Sequence, residues 1–331
     1  MTRIAINGFG RIGRSTLRAL IERRSELEVV AINDLGPIED LARLLKFDTT
    51  LGRFNHTVEA KDDEIVIDGT SIKVFAEKDP AKLPWGELDI DIALESTGRF
   101  TKAEKARAHL TAGAKKVLVS APSKGADVTL AYGVNSEAYK PEHTVISNAS
   151  CTTNALAPLA KVLDDLAGIE QGFMTTVHAY TGDQMVQDGP HKDPRRARAA
   201  AENIIPTSTG AAKAIGLVLP QLDGKLSGDA IRVPVPVGSI VEINTTVSRE
   251  VTRDEVLDAY RTAADGELKG ILEYETEPVV SSDITGQSAS SIFDSALTRV
   301  QGKHVKVVAW YDNEWGFSNR VVDNLEFIGR S

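Results

Sequence analysis

The chain has 331 residues and a formal net charge of −9. At roughly 150 residues per domain, that length suggests two domains with sizeable cores. The acidic balance argues against nucleic acid or anionic membrane as a main partner, although Lys192, Arg195, Arg196 and Arg198 form a local basic patch. No apolar run is long enough to span a membrane and no signal-like core follows the N-terminus, so a cytoplasmic protein is expected.

The first half alternates strands and helices. Arg3–Ile6 reads as a strand, Arg11–Ser25 as a helix with Ile12, Leu17, Leu20 and Ile21 on its apolar face, and Glu28–Ile32 as a second strand. A helix is expected at Asp40–Lys46. Short strands are expected at Thr57–Ala60, Glu64–Ile67 and Ser71–Ala76, with a tight turn at Asp68-Gly69. Asp91–Glu95, Lys116–Ser120 and Thr144–Ser147 read as further strands, and Lys102–Ala112 as a helix stopped by Gly113. This alternation implies a doubly wound α/β domain of Rossmann type with a mostly parallel sheet.

The texture changes after Cys151. A helix over Thr152–Leu166 is followed by longer strands at Gly172–Ala179, Ala230–Pro234, Ile240–Ser248 and His304–Tyr311. Helices are expected at Thr209–Leu219 and Arg253–Asp265. The mixture points to an α+β domain with a mostly antiparallel sheet. Ser318–Ile328 reads as a helix returning to the first domain. The expected division is 1–150 joined by a C-terminal helix at 316–331, and 151–315.

Gly8-Phe9-Gly10-Arg11-Ile12-Gly13 has the G-x-G-x-x-G spacing, follows a strand and opens a helix. The spacing alone is weak, and its context strengthens it. The first glycine permits a tight turn, the second lets backbone approach a pyrophosphate, and the third lets helix and strand pack closely. The helix N-terminus offers N–H donors to phosphate. Asp34 lies at the end of the next strand, where a carboxylate would accept ribose hydroxyls. It would repel a 2′-phosphate, and Leu35-Gly36 supplies no base to hold one, so NAD is favoured over NADP.

Cys151 is the only cysteine, which excludes an intramolecular disulfide. A lone cysteine is often a small buried hydrophobe. Here it sits among small polar residues at a helix start, where the dipole favours a thiolate. A base is then needed. Of six histidines, His56, His109, His143, His191 and His304 have polar or loop surroundings and are expected to be solvated. His178 ends a strand and can face a cleft, although a core or surface role fits it equally well.

Ser147–Asn154 resembles the active-site signature of glyceraldehyde-3-phosphate dehydrogenases. The likeness continues through Ile6–Arg14, Ala31–Asp34, Glu95–Gly98, Ser120–Pro122, Met174–Tyr180, Ile204–Lys213, Arg232–Pro234 and Trp310–Val322. The resemblance implies that Cys151 attacks the aldehyde and that His178 is its base. Hydride transfer to NAD would leave a thioester, which inorganic phosphate would cleave. Thr181 and Arg232 would hold the phosphate of glyceraldehyde 3-phosphate. Ser150, Thr152, Thr209 and Gly210 would hold inorganic phosphate with one arginine, and Arg196 is favoured over Arg195 and Arg198.

The cofactor would meet Gly8, Gly10, Arg11, Ile12, Gly13, Asp34, Lys78, Ser120 and Asn313, the last orienting the nicotinamide carboxamide. The resemblance further implies a homotetramer, with Tyr180–Ala201 as a loop that reaches across a subunit interface and Pro190 in it. Some features depart from the family pattern. Ala155 replaces a second cysteine, Lys78 stands where arginine is expected, and Gly189 replaces a leucine. An erythrose-4-phosphate dehydrogenase with the same mechanism is the nearest alternative. A non-catalytic redox-sensing or nucleic-acid-binding protein on this scaffold is another.

Overall fold

The computed structural model describes residues 1–330 in two compact units. One contains Met1–Leu130, Ser136–Ala149 and 318–330, and the other contains Ala131–Asn135 and Ser150–Phe317.

The first unit is a doubly wound α/β fold around a nine-stranded sheet. In spatial order its strands are Val128–Thr129, Val145–Ser147, Lys116–Val119, Ile92–Glu95, Arg3–Asn7, Glu28–Asn33, Thr70–Phe75, Glu64–Ile67 and Val58–Lys61. All neighbours pair in parallel except the last three strands, which form an antiparallel meander. Helices cover a parallel sheet on both faces, so its central strands are apolar without alternation. Ile4, Ala5, Ile6, Ala93 and Leu94 accordingly have no exposed surface. From Arg3–Asn7 the chain winds first to Glu28–Asn33 on one side and later to Ile92–Glu95 on the other. The strand order therefore reverses at the carboxyl end of Arg3–Asn7, which is where such folds bind ligands.

Helix Arg11–Glu22 is shorter than the pattern suggests. Arg24 adopts φ +51°, and Ser25 N–H returns to Leu20 O at 2.9 Å, which closes the helix three residues before Ser25. The expected helix at 102–112 is two single turns, Ala103–Ala106 and Ala108–Thr111. At their junction Leu110 N–H bonds Arg107 O, a three-residue step that tightens the chain. The last helix, Trp315–Gly329, buries Val321, Val322, Leu325 and Ile328. In the first unit Asn324 Nδ2 donates to Asn148 Oδ1 at 2.6 Å, and Asp323 pairs with Arg23.

The second unit has an eight-stranded, mostly antiparallel sheet. Its order is Ile205–Ser208, Leu226–Val233, Ile169–Ala179, Ser239–Val247, His304–Tyr311, Ser291–Asp294 and Leu272–Glu275, with Arg299–Gln301 also on His304–Tyr311. Ile169–Ala179 and Leu226–Val233 run parallel, which sets His178 beside Arg232. Helix Cys151–Ala167 packs Leu156, Leu159, Ala160 and Leu163 into the core with Ile215, Ile243, Tyr260 and Val307. Four strands of this sheet were not evident in the sequence: Ile205–Ser208, Leu272–Glu275, Ser291–Asp294 and Arg299–Gln301. The first contains Pro206 and is an edge strand, the position where a missing N–H is tolerated. The helix expected from Thr209 begins at Ala211. No helix among the described residues is long and apolar enough to cross a membrane.

Candidate active site

In the first unit the nucleotide loop has the geometry its glycines require. Gly8 has φ +95°, and a Cβ there would lie 2.6 Å from Thr97 N. A Cβ on Gly13 would fall 2.2 Å from Gly8 O, so helix and strand can approach only because the side chain is absent. A Cβ on Gly10 would meet nothing within 4 Å, which leaves open space at the mouth of helix Arg11–Glu22. No side chain caps this helix end, so it suits an anion.

Gly8, Gly10, Asp34, Lys78, Thr97 and Arg99 line a pocket of about 470 Å³. Asp34 accepts the N–H of Phe9 at 2.7 Å and of Gly36 at 3.0 Å. Its carboxylate is thus anchored to the loop, with lone pairs remaining for hydroxyls. The guanidinium of Arg11 turns to Asp48 and Thr50, so only its backbone can serve a phosphate. Ser120 bonds Glu95 O through both its N–H and its hydroxyl, and it does not line the pocket. An open glycine mouth, an anchored acid and an uncapped helix together fit a dinucleotide.

In the second unit Cys151 is the first residue of helix Cys151–Ala167. Ser150 caps the helix by accepting Thr153 N–H at 3.0 Å. Ala149, just before, adopts φ +54°, a strained conformation that turns the chain into the helix. His178 Nε2 lies 3.4 Å from Cys151 Sγ. His178 Nδ1 is 2.7 Å from Ala179 O and 3.1 Å from Arg232 Nη1. It cannot donate to one and accept from the other. The shorter contact, to a carbonyl, requires the proton on Nδ1, and Nε2 then presents a lone pair to the thiol.

Burial, reinforced by Arg232, lowers His178 to about 3, so the ring is neutral at physiological pH. Burial also pushes the Cys151 thiol up, and Arg232 and Thr152 offset this only in part. The helix dipole was expected to favour a thiolate at rest. Burial opposes that form, and Cys151 retains some solvent contact.

Arg232 Nη1 also reaches Ala179 O at 3.1 Å and Thr181 Oγ1 at 3.2 Å. Its Nε is buried with no partner. Thr181 donates to Asp183, which in turn binds Arg196 Nη1 at 2.6 Å. Burial alone would raise Asp183, yet Thr181, Arg196 and Arg232 outweigh it and hold the carboxyl low. Arg196 Nε also donates to Thr207 at 3.0 Å. Arg195 and Arg198 are exposed, the latter on Asp188. Thr209 and Gly210 precede helix Ala211–Val218, and a Cβ on Gly210 would meet nothing within 4 Å.

Asn313 Oδ1 accepts from Ser239 Oγ at 2.9 Å, while its Nδ2 is buried without a partner. Ser239 Oγ also accepts Ala179 N–H, which ties Asn313 to the strand end that carries His178.

Two residues of the site escaped the sequence reading. The hydroxyl of Tyr311 bridges Thr152 at 2.9 Å and Thr176 at 2.8 Å. Asp183 joins the two arginine positions, and only its spacing from Thr181 hinted at this. Arg99, which lines the nucleotide pocket, was missed as well. The expectation that His109 is solvated was wrong. Its ring is fully buried between Trp85 and Glu95, residues distant in sequence. A larger hollow of about 740 Å³ lies on the second sheet, lined by Phe173, Lys225, Arg299 and Lys306 among others. It holds neither the thiol nor the base.

Residues 2–103 match the family model described as glyceraldehyde 3-phosphate dehydrogenase, NAD binding domain, and residues 150–313 match its C-terminal domain. Proteins named glyceraldehyde-3-phosphate dehydrogenase from Kitasatospora aureofaciens, Streptomyces coelicolor and Mycobacterium bovis are 73%, 60% and 57% identical to this chain. Each alignment covers 99% of this chain and at least 98% of the relative. The chain therefore belongs to the glyceraldehyde-3-phosphate dehydrogenase family.

Proposed function

We propose that this chain oxidises glyceraldehyde 3-phosphate to 1,3-bisphosphoglycerate with NAD and inorganic phosphate, as glycolysis requires, through Cys151 and His178. The observation that carries the site assignment is the 3.4 Å approach of His178 Nε2 to Cys151 Sγ.

The residue chemistry follows from that pair. As Sγ bonds the aldehyde carbon, neutral His178 takes the thiol proton at Nε2 and becomes a cation that steadies the developing oxyanion. Returning this proton gives a hemithioacetal on Cys151. Bound NAD supplies the hydride acceptor. His178 removes the hydroxyl proton as the carbonyl re-forms, leaving a thioester. Phosphate oxygen then attacks that carbon, the C–S bond breaks, and His178 returns a proton to sulfur. A thioester keeps the acyl group reactive enough to reach phosphate, which an ester of serine would not.

Arg232 and Thr181 hold the substrate phosphate. Arg196, Ser150, Thr152, Thr209 and Gly210 receive inorganic phosphate, and Asp183 holds the Arg196 guanidinium in place. Guanidinium forks and hydroxyls suit both anions. Asn313, with its free Nδ2, orients the carboxamide of NAD. Gly8, Gly10, Arg11, Ile12, Gly13, Asp34, Lys78 and Ser120 serve the rest of the cofactor. The first unit serves as the cofactor domain and the second as the catalytic domain.

The working form is a homotetramer in the cytoplasm. Large apolar side chains left exposed on the second unit support association: Phe173 and Ile204 at 71% and Leu217 at 64%. Light scattering on the purified protein tests this, and a monomer at micromolar concentration would overturn it.

The activity test is NADH formation from glyceraldehyde 3-phosphate and NAD, with and without phosphate. Erythrose 4-phosphate and NADP are run in parallel. Phosphate-dependent turnover of the triose with NAD is expected. Preference for the tetrose would change the substrate, and absence of turnover with either aldehyde would remove the proposal.

A further inference from the structure

The first unit contains a buried polar cluster that the chemistry above does not use. Glu95 is 2% exposed, Asn7 is 1%, and His109 and Trp85 have no exposed surface. A carboxylate out of water is costly unless its lone pairs are all engaged. Here each oxygen accepts twice. Oε2 takes Asn7 Nδ2 at 2.6 Å and His109 Nε2 at 3.0 Å. Oε1 takes the N–H of Thr97 at 2.9 Å and its hydroxyl.

The indole N–H of Trp85 is 3.0 Å from His109 Nδ1. Indole only donates, so Nδ1 accepts and the ring proton sits on Nε2, aimed at Glu95. The 3.3 Å approach of Asn7 Nδ2 to the same Nε2 is then a contact between donors.

The cluster ends on the nucleotide pocket in two places. Thr97, held by both oxygen bonds, sets its backbone against Gly8, whose missing Cβ would lie 2.6 Å from Thr97 N and 2.7 Å from its Cα. On the other side Asn7 Oδ1 accepts from Asn33 Nδ2 at 2.7 Å, and Asn33 bonds both backbone groups of Glu77. Asn7, Gly8, Asn33, Glu77 and Thr97 line the pocket, whereas Glu95, His109 and Trp85 do not. The cluster sits behind the wall and fixes its spacing.

We propose that His109 and Glu95 are positioning residues for NAD. They act through Thr97 and Asn7, holding the turn at 96–98 against Gly8 so that the glycine loop keeps the opening a pyrophosphate needs. The inference rests on assigning this pocket to NAD, and the test separates the two.

NAD affinity is measured by calorimetric titration for the wild type, His109→Gln, His109→Leu and Glu95→Gln. Melting temperature and kcat at saturating NAD are recorded beside it. Glutamine can donate to Glu95 and accept from Trp85, whereas leucine does neither. His109→Leu is expected to weaken NAD binding about tenfold, the effect of losing one to two buried hydrogen bonds, with kcat within about twofold. His109→Gln should restore most of the affinity, and Glu95→Gln should behave like the leucine variant. A lower melting temperature with unchanged NAD affinity in both His109→Leu and Glu95→Gln would reduce the cluster to core packing and overturn the inference. If His109→Leu does not fold, Trp85→Phe replaces it, because it removes only the indole bond. A wild-type protein that binds no NAD would instead overturn the pocket assignment.

Discussion

In the first unit the buried carboxylate of Glu95 has a donor for each lone pair, whereas in the second unit Arg232 Nε and Asn313 Nδ2 are buried with no partner. The nucleotide pocket is shaped by backbone and by the absence of side chains at Gly8 and Gly13. The thiol site is shaped by long side chains that strands bring together. One region offers backbone N–H groups at an uncapped helix start. The other holds donors in reserve, each costing on the order of 1–3 kcal/mol until something accepts from it. A preformed cradle suits a cofactor whose shape does not change, while reserved donors suit a site where charge develops during the reaction.

Four experiments can break or sharpen this contrast. The largest effect is expected from Cys151→Ser, which should cut turnover by about 10⁴-fold or more, the scale of losing a nucleophile. NAD affinity should stay near wild type by calorimetry, and a collapse of affinity would mean the two regions are not separate in role. His178→Asn removes the base and should lower kcat by about 10²- to 10⁴-fold while changing KM little. A steady-state series on that variant checks it, and a pure KM effect would make His178 a binding group.

Gly13→Ala probes the other region. Its Cβ would sit 2.2 Å from Gly8 O, so the backbone must shift, at a cost of about 1–3 kcal/mol in stability and a loss of NAD binding. Urea unfolding and NAD titration read both, and unchanged values for each would show that the loop is not tightly built.

The smallest effect concerns pH. His178 stays neutral in the fold down to about pH 3, while its unperturbed value is 6.5. The unfolded chain therefore takes up a proton first as pH falls through 6.5, which favours unfolding. Stability should drop by about 2 kcal/mol between pH 7 and pH 5 from this group alone and be unaffected by it above 7. Urea midpoints for the wild type and His178→Asn should converge on acidification, and parallel curves would remove the assignment of this drop to His178.

Features that depend on neighbours in sequence were readable beforehand. The glycine spacing, Asp34 one strand later, the parallel alternation and a helix opening at Cys151 all follow from local pattern, and the fold carries the same arrangement. Long-range partners were not readable. His109 looks like a surface residue in Ala108-His109-Leu110, and only the folded chain brings Trp85 and Glu95 to its ring. The same holds for Tyr311 over Thr152 and for Asp183 between two arginines. The burial that pushes the Cys151 thiol up is likewise a tertiary property that its local sequence does not carry. Ile205–Ser208 was hidden by Pro206, which reads as a breaker and is harmless on an edge.

Cys151 is the sole sulfhydryl in the chain, and position 155, one helical turn on, is alanine. A thiol-selective reagent therefore has one target atom per chain. One equivalent of label per chain counts competent centres in a preparation, with no background from structural thiols. That ratio, set against bound cofactor, gives an internal calibration for every rate measured on it.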